Sequence, residues 1–153
     1  MADSTRSVKS IISELRDINK EKRRTAVMKL GMIGGEEASR ALIRTLENEY
    51  EDLIVRGRAA MMLGKLGETS AVSALIRALN APGYQTPLYA AQALGMIGDD
   101  RAIIPLVTMA NAHTDRLHDV AVDSLQKLGF EWQSESETPS SKTDNDLEPE
   151  IIP

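Results

Sequence analysis

The chain has 153 residues, of which 42% are hydrophobic and 27% are charged, a length and balance typical of one compact domain. Aromatic residues make up only 3%, so the core must be built from aliphatic side chains, Met and Ala, which favours helices over a sheet. The absence of cysteine excludes disulfides, thiolate metal sites and cysteine nucleophiles.

The first ten residues are polar, with Asp3, Arg6 and Lys9 among them and no apolar segment behind them. A secretory signal would need such a segment, and no apolar run approaches the roughly 18 residues of a membrane span. We therefore expect a cytoplasmic protein.

One short pattern, Leu-Gly-x-(Ile/Leu)-Gly, recurs along most of the chain. It stands at residues 30–34, 63–67 and 94–98, with a degenerate copy at 125–129, so the period is 33, 31 and 31 residues. An alanine precedes the first Gly of each copy by five positions, at Ala26, Ala59, Ala90 and Ala121. A fixed period of this length is the signature of a repeat architecture.

Each repeat is predicted to contain two helices. The first carries small and apolar residues at helical spacing and ends at a Gly suited to the left-handed cap. The second begins in an acidic turn, such as Glu36 and Glu37, and carries an apolar triplet. The triplets are Leu42, Ile43 and Leu46; Leu75, Ile76 and Leu79; Leu106, Val107 and Ala110; and, in a leading half-repeat, Ile11, Ile12 and Leu15. The two extra residues of the first period fall in a loop at 48–52.

The fold predicted from these patterns is all-α, a right-handed solenoid of about three full helix pairs plus flanking half-units, spanning residues 1–130. The inner Gly of each anchor and the alanine before it are expected to allow close approach of neighbouring helices. Pro87 and Pro105 fall where helices begin, which is where proline is tolerated.

The pattern resembles the HEAT-like repeats of the phycobilisome-lyase type over roughly residues 8–129. The family has an Arg eight positions before the first Gly, matched here by Arg23 and Arg56. Later repeats depart from it, with Pro87 and His118 at that position and Gln126 in place of the inner Gly. A polar, irregular last repeat is typical of a capping unit.

Residues 131–153 differ sharply in composition from the rest. They hold seven acidic residues against Lys142 alone and are rich in Ser, Thr and Pro. Such a segment buries too little apolar surface to offset its ordering entropy. We predict a disordered acidic tail.

The resemblance brings in enzymes, of which the first are the HEAT-like di-iron hydroxylases. Their ligands are His-Glu pairs, and this chain has none. His113 and His118 are expected to be exposed residues at the start of the terminal helix. We therefore predict no catalytic residues, no metal and no cofactor.

Two further resemblances remain. Bilin lyase or isomerase subunits share the repeat, and Tyr84, Tyr89 and Arg77 are candidates to line a tetrapyrrole site, so this stays the alternative function.

HEAT-like DNA glycosylases use a basic face. The basic residues here are interleaved with acidic ones, which indicates a solvated helix face and no nucleic-acid partner. They are Arg6, Lys9, Arg16, Lys20, Lys22, Arg23 and Arg24.

The remaining function is a non-catalytic adaptor or scaffold that binds a partner protein on the concave face, which we expect the second helices to line. Arg44 and Arg77 both stand thirteen residues after an inner Gly, outside the apolar triplets, with Arg40 one turn earlier. With Arg101 they form the predicted partner-binding set, suited to an acidic or extended segment. The tail either masks this set or carries, at residues 147–152, a binding motif of its own. The oligomeric state stays open.

Overall fold

The computed structural model describes the backbone of residues 2–133 and the side chains of residues 7–133. Within this range the chain forms eight α-helices joined by short connections. They are α1 (Ala2–Glu14), α2 (Lys20–Ile33), α3 (Glu36–Glu47), α4 (Leu53–Leu66), α5 (Val72–Ala78), α6 (Gln85–Ile97), α7 (Ile103–Ala112) and α8 (Arg116–Lys127). Short 3-10 turns, Thr69–Ala71 and Asp100–Ala102, lead into α5 and α7.

Capping residues fix the ends of these helices. The side chain of Asp52 accepts hydrogen bonds from the first backbone N–H groups of α4, and Asp115 does the same for α8. At the other end, Gly67 and Gly98 adopt left-handed conformations, with φ of 65° and 78°, and terminate α4 and α6. The predicted role of the outer Gly of each anchor is confirmed at these two positions.

The core consists of the residues that the repeat pattern selects. The anchor leucines Leu30, Leu63, Leu94 and Leu125 are all 0% exposed. In the triplets of α3, α5 and α7 the first and third members are buried and the middle one is half-buried. The core is therefore continuous along the stack, with each helix pair covering the apolar side of the next.

The even-numbered helices, which carry the anchors, form a tightly packed layer. A Cβ added at Gly64 of α4 would lie 2.7 Å from the Ala93 Cα of α6, and one added at Gly95 of α6 would lie 2.9 Å from the Ser124 Cα of α8. Only a residue without a side chain fits such an approach. The predicted close contact through the inner Gly is confirmed.

The odd-numbered helices form a more widely spaced layer. Contacts between α3 and α5 are far fewer than those between α4 and α6, and open cavities separate neighbouring members. That the second helices, α3, α5 and α7, line the concave side of the solenoid stays a prediction.

The packed part of the chain continues past residue 130. Trp132, inside the segment predicted as tail, is half-buried. Its indole Nε1 donates to Asn111 Oδ1 of α7 at 3.1 Å, and its ring meets the His118 ring edge-on at 4.8 Å between centroids. The remainder of the predicted tail, residues 134–153, lies outside the described residues.

Candidate partner-binding surface

The four predicted arginines are all exposed, on or just before the odd-numbered helices. Arg40 and Arg44 lie on α3, Arg77 in the last turn of α5, and Arg101 in the 3-10 turn before α7. Arg77 reaches across to the neighbouring helix, because its Nη2 donates to Glu47 Oε1 of α3 at 2.8 Å. Glu47 is one turn beyond Arg44. Arg44 and Arg77 thus belong to the same end of the layer, as their shared repeat position predicts.

Arg101 lies apart from this pair. It stands at the start of α7, whereas Arg77 stands at the end of α5, and its guanidinium bonds mainly to Asp99 two residues away, with Nη2 to Oδ2 at 2.9 Å. That hydrogen bond lowers the pKa of Asp99 and raises the pKa of Arg101. Arg40 is likewise paired locally, with Glu36. Exposed pairs of this kind contribute little to stability.

A cavity of about 660 Å³ opens between α3 and α5 beside Arg77. Its walls come from both helices and from the loops that follow them, with Leu46, Tyr50, Arg56, Arg77, Asn80 and Pro82 among the lining residues. The cavity exists because the odd-numbered helices are widely spaced, while the even-numbered helices behind it are in close contact.

Arg56 lines this cavity and is a buried charged residue outside the predicted partner-binding set. It lies in the first turn of α4 and is 5% exposed. Its Nε donates to the Leu46 carbonyl at 3.0 Å, and its Nη1 is buried without a hydrogen-bond partner among the described residues. A buried unpartnered donor is rare in folded proteins.

The basic residues at the start of α2 are not the solvated face that the sequence predicts. The Arg23 and Arg24 side chains are only 20% and 12% exposed. Arg23 pairs with Glu51 at 3.0 Å and Arg24 with Asp52 at 3.1 Å, both in the loop before α4. These pairs connect the first repeat to the second, and they leave Lys20 and Lys22 as the exposed members of the cluster.

Asp52 combines a helix cap with an ion pair. Burial opposes its ionisation, but the Val55 N–H and Ile54 N–H bonds and the Arg24 guanidinium outweigh that effect, and the pKa of Asp52 falls below its usual value. The carboxylate therefore stays ionised at neutral pH and holds α2 against α4.

The sequence of the chain matches a known protein family. The sequence profile of the family described as HEAT repeats matches residues 8–86 and 51–126, which together cover most of the chain. The chain belongs to the HEAT-repeat family. The prediction of an all-α, right-handed solenoid of HEAT-like helix pairs is thereby confirmed.

Solved structures similar to this HEAT-repeat chain include the following two. One is the complex of CpcE and CpcF of phycocyanin lyase from Nostoc sp. PCC7120, at 29% identity and a TM-score of 0.67, covering 80% of this chain and 53% of that one. The other is human deoxyhypusine hydroxylase in complex with glycerol, at 25% identity and a TM-score of 0.70, covering 80% of this chain and 43% of that one. The chain thus spans about half the length of either structure. None of the curated proteins compared with it matches.

The two histidines differ from the expectation of exposed residues, because both are half-buried. His118 Nδ1 lies 2.8 Å from the Ala110 carbonyl oxygen, and its ring makes the edge-on contact with Trp132. Within the described residues no group of three or more His, Asp or Glu side chains has a geometry for holding a metal.

The three residues considered for a tetrapyrrole site are not brought together. Arg77 lines the cavity between α3 and α5, whereas Tyr89 lines a separate one between α6 and α8, with Arg116 opposite. Tyr84 immediately precedes α6 and is 39% exposed. None of the helices in residues 2–133 has both the length and the apolar composition that crossing a membrane requires.

Proposed function

We propose that this HEAT-repeat chain is a non-catalytic protein-binding module, an adaptor or scaffold, that takes an acidic, extended segment of a partner protein on the face formed by α3 and α5. The observation that carries the proposal is the cavity between these helices, with Arg77 at its mouth and a buried guanidinium at its back. This face is formed by second helices, the set that the sequence predicts to line the concave side.

Arginine suits this role because its guanidinium is planar and pairs with carboxylates through two parallel hydrogen bonds. Arg77 is occupied by Glu47, but its side chain is 64% exposed, and exposed pairs are weak. A partner carboxylate can replace Glu47 at little cost. Arg44 lines a smaller cavity on the other side of α3, so a segment crossing α3 meets both arginines.

The acidic C-terminal residues enter the same proposal. Residues 134–153 contain six carboxylates and are attached to Gln133, so they are present at high effective concentration. We propose that they compete with the partner for the α3 and α5 face. The predicted alternative, a separate binding motif at residues 147–152, gives no competition.

The decisive experiment compares two charge-reversal variants of the full chain. A partner is captured from the native source, identified and purified, and its affinity is measured for the wild type, for Arg44→Glu/Arg77→Glu, and for Lys65→Glu/Lys127→Glu. The second double variant makes the same change in net charge on the even-numbered helices, where both lysines are exposed.

We expect the arginine double variant to weaken binding by at least about tenfold, since two exposed pairs of up to about 1 kcal/mol each are lost and the introduced glutamates repel the acidic segment. The lysine variant should stay within about threefold of wild type, because rim charges on another face change affinity little. Equal losses in both variants would mean that only net charge matters, and no loss in either would remove this face from consideration. Neutralising the six C-terminal carboxylates should strengthen binding if they compete.

A second candidate function is a bilin lyase-like subunit that acts on a phycobiliprotein, favoured by the 29% identity to the phycocyanin lyase complex. Under this proposal the chain pairs with an unlike HEAT-repeat subunit, as CpcE and CpcF form a complex. The test is to purify the chain from its source with any stable partner. Co-purification of a second HEAT-repeat chain and a bound bilin supports this function, and a partner of another kind without bilin supports the adaptor.

A further inference from the structure

The buried Arg56 can be compared with the arginine at the same position one repeat earlier. Both Arg23 and Arg56 stand eight residues before an inner Gly, in the first turns of α2 and α4. Arg23 has an acceptor for every nitrogen of its guanidinium. Nε donates to Glu51 at 3.0 Å, Nη2 lies 3.0 Å from the same carboxylate, and Nη1 donates to the Asp17 and Ile18 carbonyls at 2.8 and 3.0 Å.

Arg56 lacks the equivalent acceptor for a reason that the sequence makes visible. Glu51 lies thirteen residues before the inner Gly64, and the residue thirteen before Gly95 is Pro82, which offers no carboxylate. As a result Nε reaches only the Leu46 carbonyl, and Nη1 stays without a partner among the described residues.

In the later repeats the residue at this position has no unpartnered arginine donor. In the third repeat it is Pro87, which carries no side-chain donor. In the fourth it is His118, whose Nδ1 contacts the Ala110 carbonyl, the counterpart of the Leu46 carbonyl, and whose ring makes the edge-on contact with Trp132. Within residues 7–133, Arg56 is thus the member of this series that combines a buried, unpartnered Nη1 with a side chain that lines an open cavity.

We propose that the cavity at Arg56 is a socket for a single carboxylate, supplied by an acidic side chain of a protein segment bound between α3 and α5. The carboxylate accepts from Arg56 Nη1, the donor without a partner among the described residues, because Nε is already bonded to the Leu46 carbonyl. The charges around the cavity set the ligand class. Arg56 and Arg77 are balanced by Glu47 and Glu49, so a monoanion is accommodated, whereas a phosphate of nearly two negative charges is repelled by the two glutamates.

This inference deepens the proposed function, because the socket opens beside Arg77, and it rests on the proposal that an acidic segment binds there. It adds a buried anchor to an otherwise exposed surface. A desolvated charge pair at the centre of an interface contributes far more than pairs at its rim, provided that both partners are hydrogen-bonded.

The test adds a carboxylate from the chain itself to the cavity at Arg56. Pro82→Glu restores an acidic residue at the repeat position of Glu51, and Pro82→Gln is the matched control that removes the proline without adding charge. The probe is the peptide Ac-Ala-Glu-Ala-NH2, which carries a single carboxylate, with inorganic phosphate as the competing chemistry. Binding to the full-length chain is followed by NMR of the arginine side-chain N–H signals, assigned to Arg56 with Arg56→Lys.

We expect the peptide to shift the Arg56 signals in the wild type and in Pro82→Gln, with phosphate at least about tenfold weaker. In Pro82→Glu the peptide affinity should fall by about ten- to a hundredfold, the range produced by losing a hydrogen-bonded charge pair. The same variant should unfold at least about 3 °C above Pro82→Gln, because the buried guanidinium gains its acceptor.

Equal peptide affinity in the two Pro82 variants would overturn the socket, as would phosphate binding as tightly as the peptide. If the Arg56 signals of the free wild type already report a paired guanidinium, changing the six acidic residues beyond 133 to their amides identifies the source. Release of the signals then assigns the carboxylate to the chain itself and upholds the socket, and unchanged signals overturn it. These outcomes are independent of the Arg44 and Arg77 variants. Failure of the socket at Arg56 can therefore be distinguished from failure of the proposed partner-binding face.

Discussion

The contact between α4 and α6 gives the sharpest prediction for stability. Replacing Gly64 with Ala places a Cβ 2.7 Å from the Ala93 Cα and 2.8 Å from its Cβ. Ordinary carbon contacts are about 3.5–4.0 Å, so the two helices must separate by about 1 Å. The obstacle is backbone, which no rotamer change relieves. Overpacking costs about 1–3 kcal/mol, and this site belongs at the upper end.

The same substitution has an opposing effect, because Ala favours a helix over Gly by about 1 kcal/mol. We therefore expect Gly64→Ala to lower the free energy of unfolding by about 2 kcal/mol. Gly57→Ala in the same helix is the control. Its added Cβ meets the Tyr89 ring at 3.1 Å, a contact that a small ring movement relieves. It should be close to neutral. Urea unfolding followed by circular dichroism measures both, and a Gly64→Ala variant as stable as wild type would refute the close approach.

Two further predictions concern the core and the first interhelix ion pair. Leu63→Ala and Leu94→Ala, both at positions that are 0% exposed, should each cost about 2–5 kcal/mol in urea unfolding, and losses below about 1 kcal/mol would mean that the core face is misplaced. Asp52→Asn keeps the helix cap and removes the charge pair with Arg24, so it should cost about 1 kcal/mol at pH 7. Because the pKa of Asp52 is lowered in the folded state, this contribution is present above the unfolded pKa of about 3.9 and disappears as the pH falls through the folded pKa. A gap between variant and wild type that does not shrink as the pH is lowered would contradict the assignment.

The fold was predictable because residues within each repeat specify the helices of that repeat. The anchor leucines, the triplets and the terminal glycines specify where helices begin, end and bury their apolar side, and the structure has them there. The close packing of the first helices was also predictable, because Gly and Ala concentrate in the first helix of each pair and the inner Gly leaves no room for a Cβ between α4 and α6.

The candidate surface was predictable only in part. Exposure of Arg44 and Arg77 follows from their place outside the apolar triplets. The pairing of Arg23 and Arg24 does not, because their partners lie 28 residues away in the next loop. Arg56 required a comparison between repeats, since its missing acceptor is recorded by Pro82 in a different repeat.

The central claim is that a partner binds the face of α3 and α5, and hydrogen exchange tests it most directly. Amide exchange of the full chain is measured by mass spectrometry, free and bound to the purified partner. We expect slower exchange in the bound state across Glu36–Glu47, Val72–Ala78 and the loop at residues 79–84, with the exposed sides of α2, α4, α6 and α8 unchanged. Protection confined to the even-numbered helices, with α3 and α5 exchanging as in the free chain, would contradict the account.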